Sequence, residues 1–377
     1  MVQAEQATLP QGVKQHRLWS PVRMETADSF WILLICTISI TVIVTRVSLE
    51  LSGYPQVGDA TYHIAHVLWG GLAMFIALVL PLTFANPYIP WVTAIAGGIG
   101  AGLFIDEVGK FITQGNDYFF PLAFPIIYAF ILLCIWLTLR IRAYRKRDTR
   151  TLLYHALEEL KQVLDNDLDP LERADLQANL AHAARETTDV EERVLAEALL
   201  SFVQSRQIRL AESPTALQQA WTRMRATVSN TPPRIVMRSV LVVSFGYSAL
   251  NALFQLVTLA GLLTQGGRAA IAAALGNNVI VSGKAQYIVN DPTLALVHSG
   301  SIIIVGLLAL VATGCLVTDR EHLGLRLGSA SLVISLLSVN LISFYFNQIY
   351  AILATLGQAT LLFAAMLYRW RFLRHLD

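Results

Sequence analysis

The sequence predicts an all-α fold, a polytopic membrane helical bundle of about eight spans with a soluble α-helical domain inserted midway. Three observations predict it. Hydrophobic residues make up 55% of the 377-residue chain and charged residues only 14%, where soluble domains carry about 25% charged residues. The apolar residues gather in runs long enough to cross a hydrocarbon layer, which takes roughly 20 helical residues. Lys and Arg collect in alternate connections between those runs, as they do where positive charge stays on the cytoplasmic side.

A polar tail, 1–28, carries Lys14, Arg17 and Arg23. The first apolar run, 29–47, is longer than the roughly 7–15 residues of a cleaved signal's core and reads as a retained span. Further runs follow at 61–82, 91–112 and 119–140, then at 235–263, 294–317, 326–346 and 348–368. Only Phe346-Asn347-Gln348 separates the last two, which predicts a tight antiparallel hairpin. Arg140, Arg142, Arg145, Lys146, Arg147 and Arg150 follow the fourth run, and Arg223, Arg225 and Arg234 precede the fifth. Arg320 and Arg326 lie between the sixth and seventh; Arg369, Arg371 and Arg374 follow the eighth. Opposite connections hold Arg46, Lys110, Arg268 and Lys284. This pattern predicts a plasma-membrane protein with both termini cytoplasmic. Two four-span halves, 29–141 and 235–368, flank a cytoplasmic domain, 142–234, and a short tail, 369–377, closes the chain.

Within the insert, Leu152, Leu153, Ala156, Leu157, Leu160 and Leu164 recur at helical spacing. Asp169 as a cap with Pro170 at the first helical position opens a second helix. A third is expected near 190–207, and Ser213-Pro214 opens a fourth. Residues 148–232 are thus a candidate surface for a cytoplasmic protein partner; the lipid bilayer is the other partner. Beyond the fifth run, Arg268 to Leu275 is helical in propensity, and β-branched residues flanking Ser282-Gly283 predict a small hairpin.

A net charge of +2 indicates no nucleic-acid partner. Cys36, Cys134 and Cys315 lie inside apolar runs without metal-ligand spacing, which reads as packing. Gly97 to Gly102 is glycine-rich but mid-span, so helix packing explains it better than nucleotide binding.

Ionisable residues inside spans cost free energy and point to function unless a partner explains them. Here they gather toward the outer ends: His63 and His66 in the second span, Asp106 and Glu107 in the third, His298 in the sixth. Asn251, Gln255 and Asn340 add uncharged polar groups, and Asp59, Tyr62, Asn116, Asp117 and Tyr118 flank the same rim. Gly70 in the second span and the stripe Ala94, Gly98, Gly102, Asp106 in the third allow close helix approach. Residues equally far from the connection 84–90 stand at equal height, which brings His63 and His66 level with Asp106 and Glu107.

Three readings follow. His63, His66, Asp106 and His298 are candidate ligands for a divalent metal such as zinc, with Asp106 and Glu107 the candidate catalytic acids of a metal-dependent hydrolase-like site. The same groups can relay protons in a proton- or ion-coupled transporter. Or the acids pair with Lys110, at i+4 from Asp106 and i+3 from Glu107, and a membrane scaffold or sensor acts through its cytoplasmic helices.

The run His63-Ile-Ala-His66-Val-Leu-Trp-Gly70, followed by Gly98-Ile-Gly-Ala-Gly102-Leu-Phe-Ile-Asp106-Glu107, resembles a loose group of bacterial multi-pass membrane proteins with no established activity. The likeness covers the second to fourth spans and implies only that these residues are the better candidates. A more distant resemblance joins the chain to intramembrane metal hydrolases of the ceramidase and adiponectin-receptor type, which also combine His and Asp within spans. This chain lacks a His-x-x-x-His pair near its C-terminus.

Overall fold

The computed structural model describes residues 21–52, 66–114, 117–118, 120–143, 149–166, 168–205, 232–276, 278–282, 285–289 and 292–373. Among the described residues, eight helices are long and apolar enough to cross a membrane: Ala27–Leu49, His66–Thr83, Ile89–Asp106, Ala123–Arg142, Arg234–Gly261, Thr293–Val317, Glu321–Phe346 and Gln348–Leu373. The protein is a multi-pass membrane protein of all-α fold. His63, Asp59, Tyr62, Asn116 and the helix expected after Ser213 lie outside the described residues.

Several boundaries move from their expected places. The third helix stops at Asp106 instead of running to 112. Glu107 leaves the helical conformation, and a short helix, Val108–Ile112, follows. The fifth is a single helix, Arg234–Gly276, so the Ala-rich stretch after Arg268 continues it. The expected hairpin pairs Asn278–Ser282 with Ala285–Val289, antiparallel, Asn278 opposite Val289.

Contacts divide the chain into two compact units. The first comprises Met1–Leu34, Ile76–Ala96 and Leu137–Met224. Between the fourth and fifth spans its described residues form three helices, Thr149–Asp165, Pro170–Glu186 and Val190–Gln204. Leu153, Ala156, Leu176, Leu180, Ala183, Ala196 and Val203 form their common core. Asp169 and Glu172 make a reciprocal cap: Asp169 Oδ1 accepts from the Glu172 amide at 2.8 Å, and Glu172 Oε2 accepts from the Asp169 amide at 3.1 Å.

The second unit comprises Ile35–Phe75, Gly97–Trp136 and Arg225–Asp377. Its largest core sets Met237, Leu241 and Phe245 of the fifth span against Ala309, Ala312 and Leu316 of the sixth, Leu325 and Leu332 of the seventh and Tyr368 of the eighth. The sixth span approaches the fifth so closely that a Cβ on Gly306 would lie 2.1 Å from that of Ala252. In the seventh, residues Ser335–Val339 form a π-helical turn. Such a turn frees a backbone acceptor, and the Tyr128 hydroxyl donates to the Leu336 carbonyl at 2.7 Å. Phe124, Tyr128, Phe344 and Ala351 cluster around this point. Asn347 caps the last span by accepting from the Tyr350 amide at 3.0 Å, which makes the tight hairpin expected from the sequence.

Candidate functional site

Within the second unit the third span decides what meets what. Gly70 packs on the backbone of Gly100, where an added Cβ would stand 2.9 Å from the Gly100 carbonyl oxygen. Gly102 faces the first span: a Cβ there would lie 2.8 Å from Thr41 Cβ and 3.0 Å from the Ile38 carbonyl oxygen. Asp106 follows Gly102 by four residues and so stands on the same side. Gly102, part of the stripe expected to seat the second span, instead admits the first, while the second seats on Gly100; the contact with the first span brings Arg46 to the site.

Asp106 is fully buried. Its Oδ1 accepts from Arg46 Nε at 2.5 Å. Its Oδ2 accepts from the Tyr118 hydroxyl at 2.7 Å and lies 3.0 Å from His66 Nε2. Arg46 also donates to the Asp106 carbonyl at 2.7 Å. That carbonyl has no helical donor, because the helix ends there. The Arg46 guanidinium lies over the rings of Tyr118, at 3.9 Å, and Phe124, at 4.4 Å, contacts that favour a planar cation over an ammonium.

Glu107, 1% exposed, is reached by the other face of the cluster. Its Oε1 lies 3.0 Å from His66 Nδ1 and accepts from Lys110 Nζ at 3.0 Å. Its Oε2 is 2.8 Å from the same ammonium, an ion-pair contact without the alignment of a hydrogen bond. The His66 imidazole therefore bridges two buried carboxylates, one on each ring nitrogen. Burial raises the Tyr118 phenol well above its usual value; Arg46 opposes this, while Asp106 and Glu107 reinforce it. The phenol is a fixed donor to Asp106.

The expected pairing of His66 with Asp106 and Glu107 is present, and Lys110 pairs with Glu107. Asp106 is not held by Lys110: Arg46 takes it. His298 stands apart, its Nε2 at 2.9 Å from Ser343 Oγ and its ring against Phe346. It does not join His66 and Asp106 as a ligand. Among the described residues no three His, Cys, Asp or Glu side chains are placed to hold a metal ion. A divalent cation at the carboxylates would compete with Arg46 and Lys110, which occupy them. Asn340, 1% exposed, belongs to a separate amide cluster, donating to Thr355 Oγ1 at 2.9 Å and Gln358 Oε1 at 3.0 Å.

Arg46 is the residue that reading the sequence assigned to a solvent-facing connection. It sits at the end of an apolar run, and a span end and a loop start look alike there. The signal that finds it is charge balance: two intramembrane acids need two cations, and Lys110 is only one.

No family model, curated protein or solved structure matches the chain.

Proposed function

We propose that the protein is a proton-coupled membrane transporter in which His66, Asp106 and Glu107 hold and release the coupling proton. The bridging imidazole is the observation that supports this reading. An ionised carboxylate only accepts hydrogen bonds. Nε2 of His66 hydrogen-bonds one acid and Nδ1 makes an ion-pair contact with the other, so a proton held on the ring faces an acceptor on either side. Loss of that proton turns a nitrogen lone pair toward a carboxylate, and ring or acid must move. Occupancy by a proton is thereby tied to the seating of the second span on the third, a differential interaction that can bias two conformations. Arg46 and Lys110 each offset one acid, so a proton taken up by His66 becomes the net charge of the described cluster.

The distribution of Lys and Arg supports an outward-facing cluster and cytoplasmic termini. The test uses proteoliposomes holding a pH dye and loaded with a small-molecule cell extract. Under a clamped membrane potential, wild-type vesicles should dissipate an imposed proton gradient faster than protein-free vesicles. Asp106→Asn and His66→Gln vesicles should not. Equal rates for wild type and both variants sink the reading. Near-stoichiometric zinc by elemental analysis, lost on His66→Ala, would favour the metal-dependent hydrolase instead.

A second reading, action through a cytoplasmic partner, is favoured by the helix Val190–Gln204. Val190, Val194, Leu195 and Phe202 are exposed along one side of it, more apolar surface than a solvated helix face needs. Crosslinking of the full-length protein in cells should capture a soluble protein, and Val194→Asp/Phe202→Asp should abolish the capture. Capture unchanged by that variant removes this surface as the docking face.

A further inference from the structure

A second ionic site stands where the fifth span begins, the seventh begins and the eighth ends. Arg234, Arg238, Asp319, Glu321 and His322 line a pocket of about 550 Å³ there, with Ile235 and Leu373 as its apolar walls. Its two acids differ in kind. Glu321 is 5% exposed, and its Oε2 accepts from Arg234 at 2.9 Å and from the Tyr368 hydroxyl at 2.9 Å. Its Oε1 lies 3.4 Å from Arg238. It ties the seventh span to the fifth and the eighth. Asp319 has a side chain 80% exposed and touches Arg238 through one oxygen at 2.6 Å. An exposed pair of this sort is weak and readily exchanged.

Arg238 is held from behind by the Leu316 carbonyl, to which its Nε donates at 3.1 Å. Its orientation therefore survives departure of Asp319. Arg234 has a side chain 52% exposed. With Asp319 swung aside, two guanidinium groups face one buried carboxylate and the pocket carries one positive charge. A single phosphodiester matches that charge, and guanidinium groups bind phosphate oxygens in two-pronged fashion. The residues lie at the ends of membrane-crossing helices, the depth of lipid headgroups. Ile235 of the lining is exposed, and Leu323 and Trp370, near the lining residues in the chain, are exposed as well, apolar and aromatic surface suited to the acyl and glycerol parts of a lipid. Arg320, Arg326, Arg369 and Arg371 add positive charge nearby in the chain.

We propose that this pocket binds the phosphate of an anionic phospholipid, with Asp319 occupying Arg238 until the lipid arrives. The site is independent of the proton cluster and of the transport reading. Basic pockets between spans take headgroups by this chemistry.

The experiment titrates delipidated, full-length protein in detergent with phosphatidylglycerol or phosphatidylcholine and counts bound lipid by native mass spectrometry. Phosphatidylglycerol should bind more tightly than phosphatidylcholine. Asp319→Asn, a change at an exposed side chain, should tighten it about two- to five-fold by removing the competitor. Arg238→Gln should weaken it roughly ten-fold or more. Should that variant fail to fold, Asp319→Asn alone decides. Unchanged affinity in Asp319→Asn, or equal binding of the two lipids, overturns the proposal. Full displacement of the lipid by excess inorganic phosphate, but not by sodium chloride of equal ionic strength, overturns the lipid assignment in favour of a soluble phosphate compound.

Discussion

Replacing Arg46 by methionine tests the central arrangement most directly. Methionine keeps much of the apolar stem beside Tyr118 and Phe124 but removes the charge. Asp106, fully buried, would keep Tyr118 and His66 as partners and lose the guanidinium. Stranding one member of a buried pair costs about 3–5 kcal/mol. The Asp106 carbonyl would also lose the donor that closes the third span, worth about 0.5–1.5 kcal/mol. Asp106→Asn strands Arg46 instead and should also destabilise. The double variant Arg46→Met/Asp106→Asn buries no lone charge and should recover much of the loss. Measured by reversible detergent-denaturant unfolding at pH 7, the cycle should show a coupling of about 2 kcal/mol or more. Additive single effects, or a cost for Arg46→Met below about 1 kcal/mol, would refute the geometry.

Three further outcomes are expected. Burial, with Glu25, Glu172 and Asp175 nearby, raises the Glu159 carboxyl to about 7 from 4.5. The folded form therefore holds that proton more tightly, and stability present below about pH 4.5 is lost as pH rises through about 7. Glu159→Gln should stabilise the helices Thr149–Asp165, Pro170–Glu186 and Val190–Gln204 by about 1–2 kcal/mol at pH 8, after discounting for solvent screening, and by little at pH 4, read by thermal melts across pH. Gly70→Leu should lower the melting temperature of the purified protein and its uptake of proton, because its side chain meets the Gly100 backbone, whereas Gly71→Leu, which meets nothing within 4 Å, should not. Equal effects would place the contact elsewhere. Tyr128→Phe removes the donor to the Leu336 carbonyl and should cost about 1 kcal/mol. Faster hydrogen exchange should be confined to the turn Ser335–Val339, and unchanged exchange there counts against the role given to Tyr128.

The sequence by itself determined the eight crossings, the inserted helices with their Asp169 cap, the hairpin beyond the fifth span and the short turn at Asn347. These rest on local rules, namely the length of an apolar run, helical periodicity and capping chemistry, each readable within some twenty neighbouring residues. It also brought His66 level with Asp106 and Glu107, because a short connection between antiparallel helices sets their heights. Only the tertiary structure decided which cation holds which acid. Arg46 lies sixty positions from Asp106, and no pattern along the chain says which side of the third span the first will pack on. Gly102 decides that by leaving room for the backbone of Ile38. The same holds for His298, which shares the expected height and still turns to Ser343: depth follows from position along a span, while direction around the helix follows from packing.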